Sequence, residues 1–320
     1  MSNDPLPIAV LTGFLGSGKT TFLRRVLASA DMSETAVIIN EFGEIGLDHL
    51  LVEAAPDEVM RLPSGCLCCA VRQDLVRTLY SLLARRADGD LPPFRRIVVE
   101  TSGLAEPAPI LYTLAADAHL ERALRLACVL TLVDSVVGAA TLDRFAEATA
   151  QAAVADRLLL TKTDLAAPPA SLIERLAALN PNAELMRGAD DPAHALFGPV
   201  AERRPRGRLF AAPAQHSHGI ASFALALRRP MSRLDFARAL GGLARDRGDD
   251  LLRVKGIVAF ADRPDRPAAI HAVQHTLYPP DWLDDWPDEE RTGRLVFITR
   301  GIECADVLTR FAQGDPVRRH

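Results

Sequence analysis

Short apolar runs alternate with amphipathic stretches through the first two-thirds of the chain. The apolar runs predict buried strands, and the stretches between them have the spacing of helices. The predicted strands are Ile8–Leu11, Ala36–Ile39, Arg96–Val99, Leu130–Val133 and Leu158–Leu160, and the predicted helices include Thr21–Ala30, Val71–Ala84 and Leu172–Leu179. Because continuous apolar strands separated by helices form mainly parallel sheets covered on both faces, this pattern predicts an α/β domain.

The pattern changes at a basic stretch that contains a proline, Arg203–Gly207. It is interpreted as a linker, although a solvated turn explains it equally well. Beyond it we expect strands at Ile220–Leu227, Leu251–Phe260, Ala268–His275 and Arg294–Thr299, and helices at Ser232–Asp246 and Ala305–Phe311. Ser232 is a favourable residue to begin a helix. The chain is therefore predicted to hold an α/β domain over residues 1–203 and a smaller α+β domain over 208–320.

Composition excludes several classes of protein. With a net charge of -4 over 320 residues, the chain has no general attraction for nucleic acid or acidic membranes. No secretion signal opens the sequence, and no run approaches the roughly 20 apolar residues that a membrane span needs. Its 5 cysteines are too few for a disulfide scaffold, so a reducing, cytoplasmic setting is expected. Cys128 and Cys304 are expected to be structural.

The most specific motif is Gly13–Thr20, which matches G-x-x-x-x-G-K-[ST] between a predicted strand and a predicted helix. Its glycines let main-chain N–H groups surround phosphates, and the helix dipole adds to the attraction. Lys19 can reach the β- and γ-phosphates, and the Thr20 hydroxyl can bind Mg²⁺. The nucleotide-binding residues predicted here are Gly13, Gly16, Ser17, Gly18, Lys19 and Thr20.

Two further segments occupy the places that a P-loop nucleotide hydrolase requires. Glu100 ends a predicted strand and stands where a D-x-x-G switch would have Asp. The segment from Thr161 and Lys162 to Asp164 resembles an N-K-x-D motif with Thr in place of Asn. A carboxylate at Asp164 can accept both N–H donors of guanine, which adenine cannot offer in the same arrangement, so GTP is favoured over ATP. Asp134 also ends a strand, where capping of the next helix is a sufficient role.

Cys66, Cys68 and Cys69 form a C-x-C-C cluster that is expected in a loop just before the helix near Val71. A helix N-terminus lowers thiol pKa values, and thiolates select Zn²⁺, Cu⁺, Co²⁺ or Ni²⁺ over Mg²⁺. Burial, a redox switch and an incomplete iron–sulfur ligand set are the competing interpretations. Glu41 and Glu44, after the second strand, lie where a switch loop is found in P-loop GTPases.

The motifs TGFLGSGKTT, NEFGEIGLD, GCLCC, VVETSGLAEP and TKTDL occur in this order, and the chain thereby resembles the CobW-type P-loop GTPases. These are relatives of the nickel-insertion GTPases of urease and hydrogenase. The resemblance implies a phosphate loop that extends to Thr21. It also implies a transition metal bound through the C-x-C-C thiols with the acids of NEFGE, and delivery of that metal to a client protein or cofactor pathway. GTP hydrolysis with Mg²⁺ would drive delivery. Zn²⁺ is expected before Co²⁺ and Ni²⁺.

Other functions and features stay open at this point. An ATP-dependent small-molecule kinase, a thiol redox switch and a passive zinc buffer are the rival functions, and cobalt handling for cobalamin or hydratase activation is an alternative within the family. The chain is expected to be a monomer or a nucleotide- or metal-dependent homodimer. His216 and His218 are more simply solvated residues than ligands. The acidic stretch Asp281–Trp286 is either a docking loop or a packed connection.

Overall fold

The computed structural model describes most of the chain. The described residues are 4–40, 60–61, 67–71, 75–188, 191–199, 214–215, 217–287 and 291–312. The chain divides into two compact units, Met1–Ile173 with Ala183–Ala201 and Glu174–Asn182 with Glu202–His320. The predicted linker lies outside the described residues, so the boundary between 203 and 208 stays a prediction.

The first unit is built on an eight-stranded sheet with the order β3-β4-β2-β5-β1-β6-β7-β8. Its strands are β1 (Leu6–Gly13), β2 (Thr35–Asn40), β3 (Met60–Arg61), β4 (Leu67–Val71), β5 (Arg96–Thr101), β6 (Leu124–Asp134), β7 (Arg157–Thr161) and β8 (Glu184–Arg187). All neighbours pair in parallel except β3, which is antiparallel to β4. The predicted parallel sheet is confirmed, and β1 lies between β5 and β6.

Helices connect the parallel strands. They are α1 (Lys19–Ala28), α2 (Leu75–Ala87), α3 (Ala108–Ala116), α4 (Ala118–Ala123), α5 (Gly138–Arg144), α6 (Ala146–Ala153), α7 (Ala170–Leu179) and α8 (Pro192–Phe197). The apolar residues of α1 recur at helical spacing, and Phe22, Leu23, Val26 and Leu27 are all buried. They pack with Ala9 and Leu11 of β1 and with residues of α8 in one apolar cluster. This packing fixes the position of the helix that follows the phosphate loop.

The prediction for the thiol segment is wrong in one respect. Cys68 and Cys69 lie in strand β4, paired in parallel with Val37 and Ile38 of β2, and not in a loop beside a helix. Helix α2 begins only at Leu75, and Val71 ends the strand. The physical reason is that LCCAV is itself a short apolar run that can extend the sheet, and such runs do not distinguish strand from helix by periodicity. Cys66 lies outside the described residues.

The second unit is an antiparallel sheet with helices, as the α+β prediction requires. Its strands are β9 (Ala214–Gln215), β10 (Ile220–Leu227), β11 (Arg253–Phe260), β12 (Arg263–Val273), β13 (Thr276–Leu277), β14 (Asp281–Trp282) and β15 (Gly293–Arg300). Their order is β13-β12-β11-β15-β10-β9, and β14 pairs with β12. The helices are α9 (Arg233–Phe236), α10 (Gly242–Arg247) and α11 (Cys304–Ala312), with a π-helical turn over Ala237–Gly241 between the first two.

Aromatic rings fill the core of this unit. Phe297 lies 5.5 Å from Phe223 and 6.0 Å from Phe311, and Phe236 contacts Phe260 edge to face at 5.3 Å. Such offset and edge-to-face pairs are favoured by the ring quadrupoles. The amide of Asp235 donates to the Ser232 hydroxyl at 3.0 Å, which confirms the predicted start of the helix.

Trp282 decides between the two interpretations of the acidic stretch. It pairs with Ala268 across the sheet and its ring packs against the aromatic core, with Arg233 over its face at 4.8 Å. Asp284 and Asp285 remain exposed beside it. The tryptophan end of the stretch is therefore a packed connection. Within the described residues, no helix is both long and apolar enough to span a bilayer.

Candidate nucleotide site

The phosphate loop leaves β1 at Gly13 and enters α1 at Lys19. Gly16 and Gly18 have φ angles of 74° and 96°, a left-handed conformation that side-chain-bearing residues rarely adopt. At Gly13 a Cβ atom would lie 2.6 Å from the carbonyl oxygen of Leu132 on β6. The loop therefore needs these glycines for its own path, and the path leaves main-chain N–H groups at the start of α1 for an anion.

Lys19 folds back over the loop that precedes it. Its Nζ donates to the carbonyl oxygens of Gly13 at 2.7 Å and Phe14 at 3.3 Å. These bonds hold the ammonium group inside the curve of the loop, where the sequence motif predicts the β- and γ-phosphates. A cation on half-buried main chain at a helix N-terminus is an arrangement suited to binding a polyphosphate.

Glu100 lies at the carboxyl end of β5, beside the strand that leads into the loop. It is 2% exposed and stands opposite Leu11 of β1 and Ile39 of β2. The next residue, Thr101, donates from its hydroxyl to the hydroxyl of Thr12 at 2.8 Å. Glu100 thus lies on the strand beside the one that leads into the phosphate loop. Carboxylate and hydroxyl oxygens are the donors that Mg²⁺ prefers. The donor chemistry of Glu100 and Thr20 fits that ion.

The segment after Glu100 lies directly against the phosphate loop. A Cβ atom on Gly103 would come within 2.8 Å of the amide nitrogen of Leu15. Gln151, on α6, fixes the same segment by donating from Nε2 to the carbonyl oxygens of Gly103 at 3.1 Å and Ala105 at 3.0 Å. Sequence reasoning missed Gln151, although a lone amide in the alanine-rich helix AEATAQAA was an available signal.

The predicted base-reading turn at the end of β7 is joined to the phosphate loop. The Thr161 hydroxyl donates to the carbonyl oxygen of Ser17 at 2.7 Å, and a Cβ on Gly18 would lie 3.7 Å from Thr161. Lys162 has a φ angle of 55°, so the backbone turns sharply before Asp164, whose side chain is exposed. The structure therefore brings the two sequence motifs together at one edge of the sheet.

Asp134 has a wider role than the capping expected of it. One carboxylate oxygen accepts from the amides of Val136 at 2.7 Å and Val137 at 3.2 Å, and the other accepts from Lys162 Nζ at 2.6 Å. Burial opposes ionisation of this carboxyl, but those hydrogen bonds outweigh it and lower its pKa from the ordinary value. At neutral pH Asp134 is therefore an anion that anchors Lys162, the lysine of the predicted base-reading turn.

Most of the predicted metal ligands lie outside the described residues. These are Glu41, Glu44 and Cys66. Cys68 and Cys69 lie in β4, which is separated from β5 by β2. In the described part of the chain, no group of three or more His, Cys, Asp or Glu side chains is placed to hold a metal ion.

His218, Cys128 and Cys304 each have a structural setting that requires no ligand. His218 is exposed on a short 3₁₀ turn with a φ angle of 63°, and His216 lies outside the described residues. Cys128 is buried in the core of the first unit. Burial, followed by the neighbouring Glu303, raises the pKa of the half-buried Cys304 thiol, so it is not a reactive thiolate. Both cysteines are structural, as expected.

Comparison with known proteins places this geometry in a family. The family model described as "CobW/HypB/UreG, nucleotide-binding domain" matches residues 7–187. The model described as "Cobalamin synthesis protein cobW C-terminal domain" matches residues 220–314.

Curated relatives cover nearly the whole chain. It is 34% identical to the zinc chaperone YjiA of Escherichia coli strain K12, over 97% of this chain and 98% of that protein. It is 32% identical to the zinc chaperone CobW of Pseudomonas aeruginosa, over 95% and 90% of the two chains. The crystal structure of the Zn(II)-bound YjiA GTPase of E. coli superposes with a TM-score of 0.79 at 31% identity, covering 98% of this chain and 100% of that one. The two family models and the near full-length matches agree, and the chain belongs to the CobW/HypB/UreG family of P-loop proteins.

Proposed function

We propose that this protein is a GTP-dependent metallochaperone, which binds a transition metal through its C-x-C-C motif and releases it to a client protein when GTP is hydrolysed. The observation that carries the proposal is the bond between Thr161 and Ser17, because it joins a base-reading turn to a phosphate loop in the same sheet that holds the thiol strand. The near full-length similarity to two zinc chaperones supports the same function.

We assign hydrolytic roles to three residues. Lys19 would bind the β- and γ-phosphates, and Thr20 and Glu100 would hold Mg²⁺, which would neutralise charge on the phosphates. The buried position of Glu100 beside β1, the strand that leads into the phosphate loop, supports this assignment, since carboxylate oxygens are ligands that Mg²⁺ prefers. P-loop GTPases without a partner are slow, so we expect weak basal hydrolysis that metal or client increases.

The nucleotide is bound at both of its ends. The phosphates lie on the loop formed by Gly13, Gly16, Ser17, Gly18, Lys19, Thr20 and Thr21. Asp164 pairs with the two N–H donors of guanine, and Thr161 and Lys162 position it. The single hydroxyl proton of Thr161 is already donated to Ser17. Asp164 therefore carries the discrimination between guanine and adenine, which agrees with GTP as substrate.

The cargo is a metal ion held by Cys66, Cys68 and Cys69, with Glu41 or Glu44 as a further ligand. Zinc is the metal named for the relatives, and thiolate with carboxylate suits it best, while Co²⁺ and Ni²⁺ are the alternatives. A complete structural zinc site is worth about 10–16 kcal/mol, which is too tight for release to a client. A ligand supplied by a loop that responds to the γ-phosphate would weaken the site after hydrolysis. To change the metal occupancy from 1:99 to 99:1, the binding free energy must differ by about 5.5 kcal/mol between the two nucleotide states.

The proposal predicts that metal affinity depends on the nucleotide. Zn²⁺ and Co²⁺ are titrated into reduced protein with GTP and Mg²⁺, with GDP and Mg²⁺, with ATP and Mg²⁺ and without nucleotide. The same titrations are repeated on the variant with Cys66 and Cys68 changed to Ser. We expect affinities that differ between GTP and GDP, no such effect of ATP, and loss of tight binding in the variant.

Each rival function gives its own result in these experiments. Equal metal affinity in every nucleotide state identifies a passive buffer and contradicts the proposal. A thiol redox switch gives a disulfide among Cys66, Cys68 and Cys69 and needs no metal, and a small-molecule kinase prefers ATP and needs an acceptor. Light scattering with each nucleotide and metal tests whether the chaperone is a monomer or a nucleotide- or metal-dependent homodimer. The cytoplasmic setting stays a prediction.

A further inference from the structure

Gln151 is a buried amide beside the candidate nucleotide site, and only one of its two ends is hydrogen-bonded within the described residues. Its side chain is 0% exposed within α6, and Nε2 donates to the carbonyl oxygens of Gly103 and Ala105. The helix is itself held in place there, because the Thr131 hydroxyl of β6 donates to the main-chain oxygen of Gln151 at 2.9 Å. Both amide protons are therefore donated to the segment that follows Glu100.

Gln151 and the phosphate loop also line the same cavity. Gln151 Oε1 and Ser17 Oγ are buried atoms without a hydrogen-bond partner among the described residues. Both residues line one cavity of about 30 Å³, between β6, α5, α6 and the phosphate loop. A cavity of that volume holds about one water molecule, and a water needs polar partners to stay there. A water can accept from the Ser17 hydroxyl and donate to Oε1, so it satisfies both atoms.

The segment that Gln151 holds is the part of the chain that would sense the γ-phosphate. Glu100 and Gly103 have the spacing of a D-x-x-G switch with Glu in the first place. Gly103 is buried against the main chain of Leu15 in the phosphate loop. A shift of this segment therefore changes the distance between the Gly103 amide and whatever the loop binds.

We propose that Gln151 is a positioning residue for the hydrolysis of GTP, and that one buried water joins its Oε1 to Ser17 and so completes a link between the phosphate loop and the Glu100–Gly103 segment. The inference rests on the proposed function for its catalytic consequence. The claim that Gln151 orders the Glu100–Gly103 segment does not depend on the proposed function. Gln151 does not touch the reacting atoms, and it acts through the carbonyl oxygens of Gly103 and Ala105.

A purely structural role is the alternative, and the chemistry of the helix argues against it. An apolar side chain of similar size, such as Leu or Met, would fill an alanine-rich helix interior without burying an amide. Gln151 instead uses both donors on one short segment, and its acceptor is buried without a hydrogen-bond partner among the described residues. Thr149 provides the contrast, because it is equally buried on the same helix but donates only to the carbonyl oxygens of Leu142 and Phe145.

The test compares Gln151→Leu and Gln151→Glu with the matched control Thr149→Val in the full-length protein. Gln151→Glu keeps the shape but replaces the NH₂ group with a second oxygen, so it cannot donate to both carbonyls. For each variant we measure the free energy of unfolding, the GDP dissociation constant, kcat for GTP with Mg²⁺, and amide hydrogen exchange of residues 101–106. Both Gln151 variants are expected to lower kcat at least tenfold and to speed exchange of this segment at least tenfold, with GDP affinity within threefold of the parent.

The control separates positioning from stability. Thr149→Val removes a buried hydroxyl of the same helix, and we expect it to leave kcat and exchange of residues 101–106 within twofold. If Thr149→Val and the Gln151 variants change kcat and exchange alike, or if the Gln151 variants change neither, the positioning role is overturned. If the parent hydrolyses no GTP, the proposed function fails, while the exchange rates still decide whether Gln151 orders the segment.

The bridging water has its own measurement. A crystal structure of the parent at high resolution is expected to show one ordered water within hydrogen-bond distance of Ser17 Oγ and Gln151 Oε1. Ser17 bonded directly to Gln151, or a cavity closed by repacking, would overturn this part of the proposal.

Discussion

The hydroxyl of Thr161 donates a 2.7 Å hydrogen bond to the main-chain carbonyl oxygen of Ser17, so the turn proposed to read the base is tied to the loop proposed to bind the phosphates. The two residues lie 144 positions apart in the sequence. In an N-K-x-D motif the first residue is an amide with two donors and an acceptor, whereas a threonine hydroxyl has one proton to give. Thr161 therefore keeps the hydrogen bond to the phosphate loop but, unlike an asparagine, has no second proton to donate.

Removal of that tie should weaken binding of any nucleotide. Thr161→Val is nearly isosteric and removes one hydrogen bond, which is worth about 1 kcal/mol or roughly a fivefold loss of affinity. We expect a loss of this size for both GTP and GDP, measured by competition with a fluorescent nucleotide. Thr161→Ser restores the hydroxyl and should bind within twofold of the parent. Equal weakening by both substitutions would mean that the methyl group, and not the bond, matters.

Asp164 should determine which base is bound. Its carboxylate accepts two N–H donors from guanine, whereas an Asn amide offers one donor and one acceptor, the complement of the xanthine edge. Asp164→Asn is expected to lower GTP affinity at least tenfold and to raise XTP affinity. Competition assays with GTP, XTP and ATP measure the change. An unchanged ratio of GTP to XTP affinity would place the base elsewhere than at this turn.

Lys19 should contribute mainly to polyphosphate binding. Charge-assisted hydrogen bonds contribute about 1.5–3 kcal/mol, so Lys19→Ala should lower GTP affinity on the order of 10- to 150-fold. Arg24→Ala is the matched control, because it removes an exposed positive charge from the same helix. Calorimetric titration of each variant should show the large loss only for Lys19. Similar losses in both would indicate a general electrostatic attraction without a specific site.

Asp134 should make part of the stability depend on pH. The pKa of this carboxyl is lower in the folded chain than its ordinary value of 3.8, so ionised Asp134 stabilises the fold above that pH, and the contribution is lost as the pH falls through the folded pKa. Asp134→Asn keeps an oxygen for Val136 and Val137 but loses the charge beside Lys162. The free energy of unfolding of the parent should exceed that of the variant at neutral pH.

Urea unfolding at a series of pH values measures that difference. It should shrink as the pH falls below about 4, because both proteins then lack the charge on residue 134. A difference that stays constant between neutral and acid pH would assign the effect to packing and not to ionisation. Lys162→Met removes the cationic partner, and we expect it to reduce the same pH dependence.

Arg157 should be among the residues on which stability depends most. Its fully buried guanidinium pairs with Glu184 at 3.0 Å and donates to four carbonyl oxygens between His194 and Pro199. Arg157→Met leaves these acceptors without their donor, and loss of one member of a buried pair costs about 3–5 kcal/mol. Urea unfolding measures the loss, and nucleotide affinity should remain, since Arg157 lies at the opposite end of β7 from Thr161.

An exposed ion pair provides the control for Arg157. Arg95 and Glu34 are 2.8 Å apart, but their side chains are 79% and 45% exposed. Because water screens such pairs, Arg95→Ala should cost less than about 1 kcal/mol. If the two substitutions have equal effects, burial of the Arg157 pair is not what gives it its importance.

The parallel sheet and the phosphate loop could be predicted because their signals are local. Gly16 and Gly18 adopt conformations that favour glycine, and Lys19 follows them at a fixed distance in sequence. The strand that carries Cys68 and Cys69 could not, because its register is set by pairing with β2 and not by any periodicity of its own. Gln151 was missed for the same reason, since its partners are 46 and 48 residues away in sequence.

The order of strands places the predicted functional motifs side by side across the sheet, although this is not their order in the sequence. From one side to the other, the sheet carries the thiol strand β4, then β2, the Glu100 strand β5, the phosphate-loop strand β1, the Asp134 strand β6 and the base-reading strand β7. With about 4.8 Å between neighbours, β4 lies roughly 14 Å from β1 on one side, and β7 roughly 10 Å on the other. The effect of a substitution should consequently depend on its strand. Substitutions on β7 should mainly reduce selectivity for the base, and substitutions on β4 should mainly reduce the dependence of metal affinity on the nucleotide.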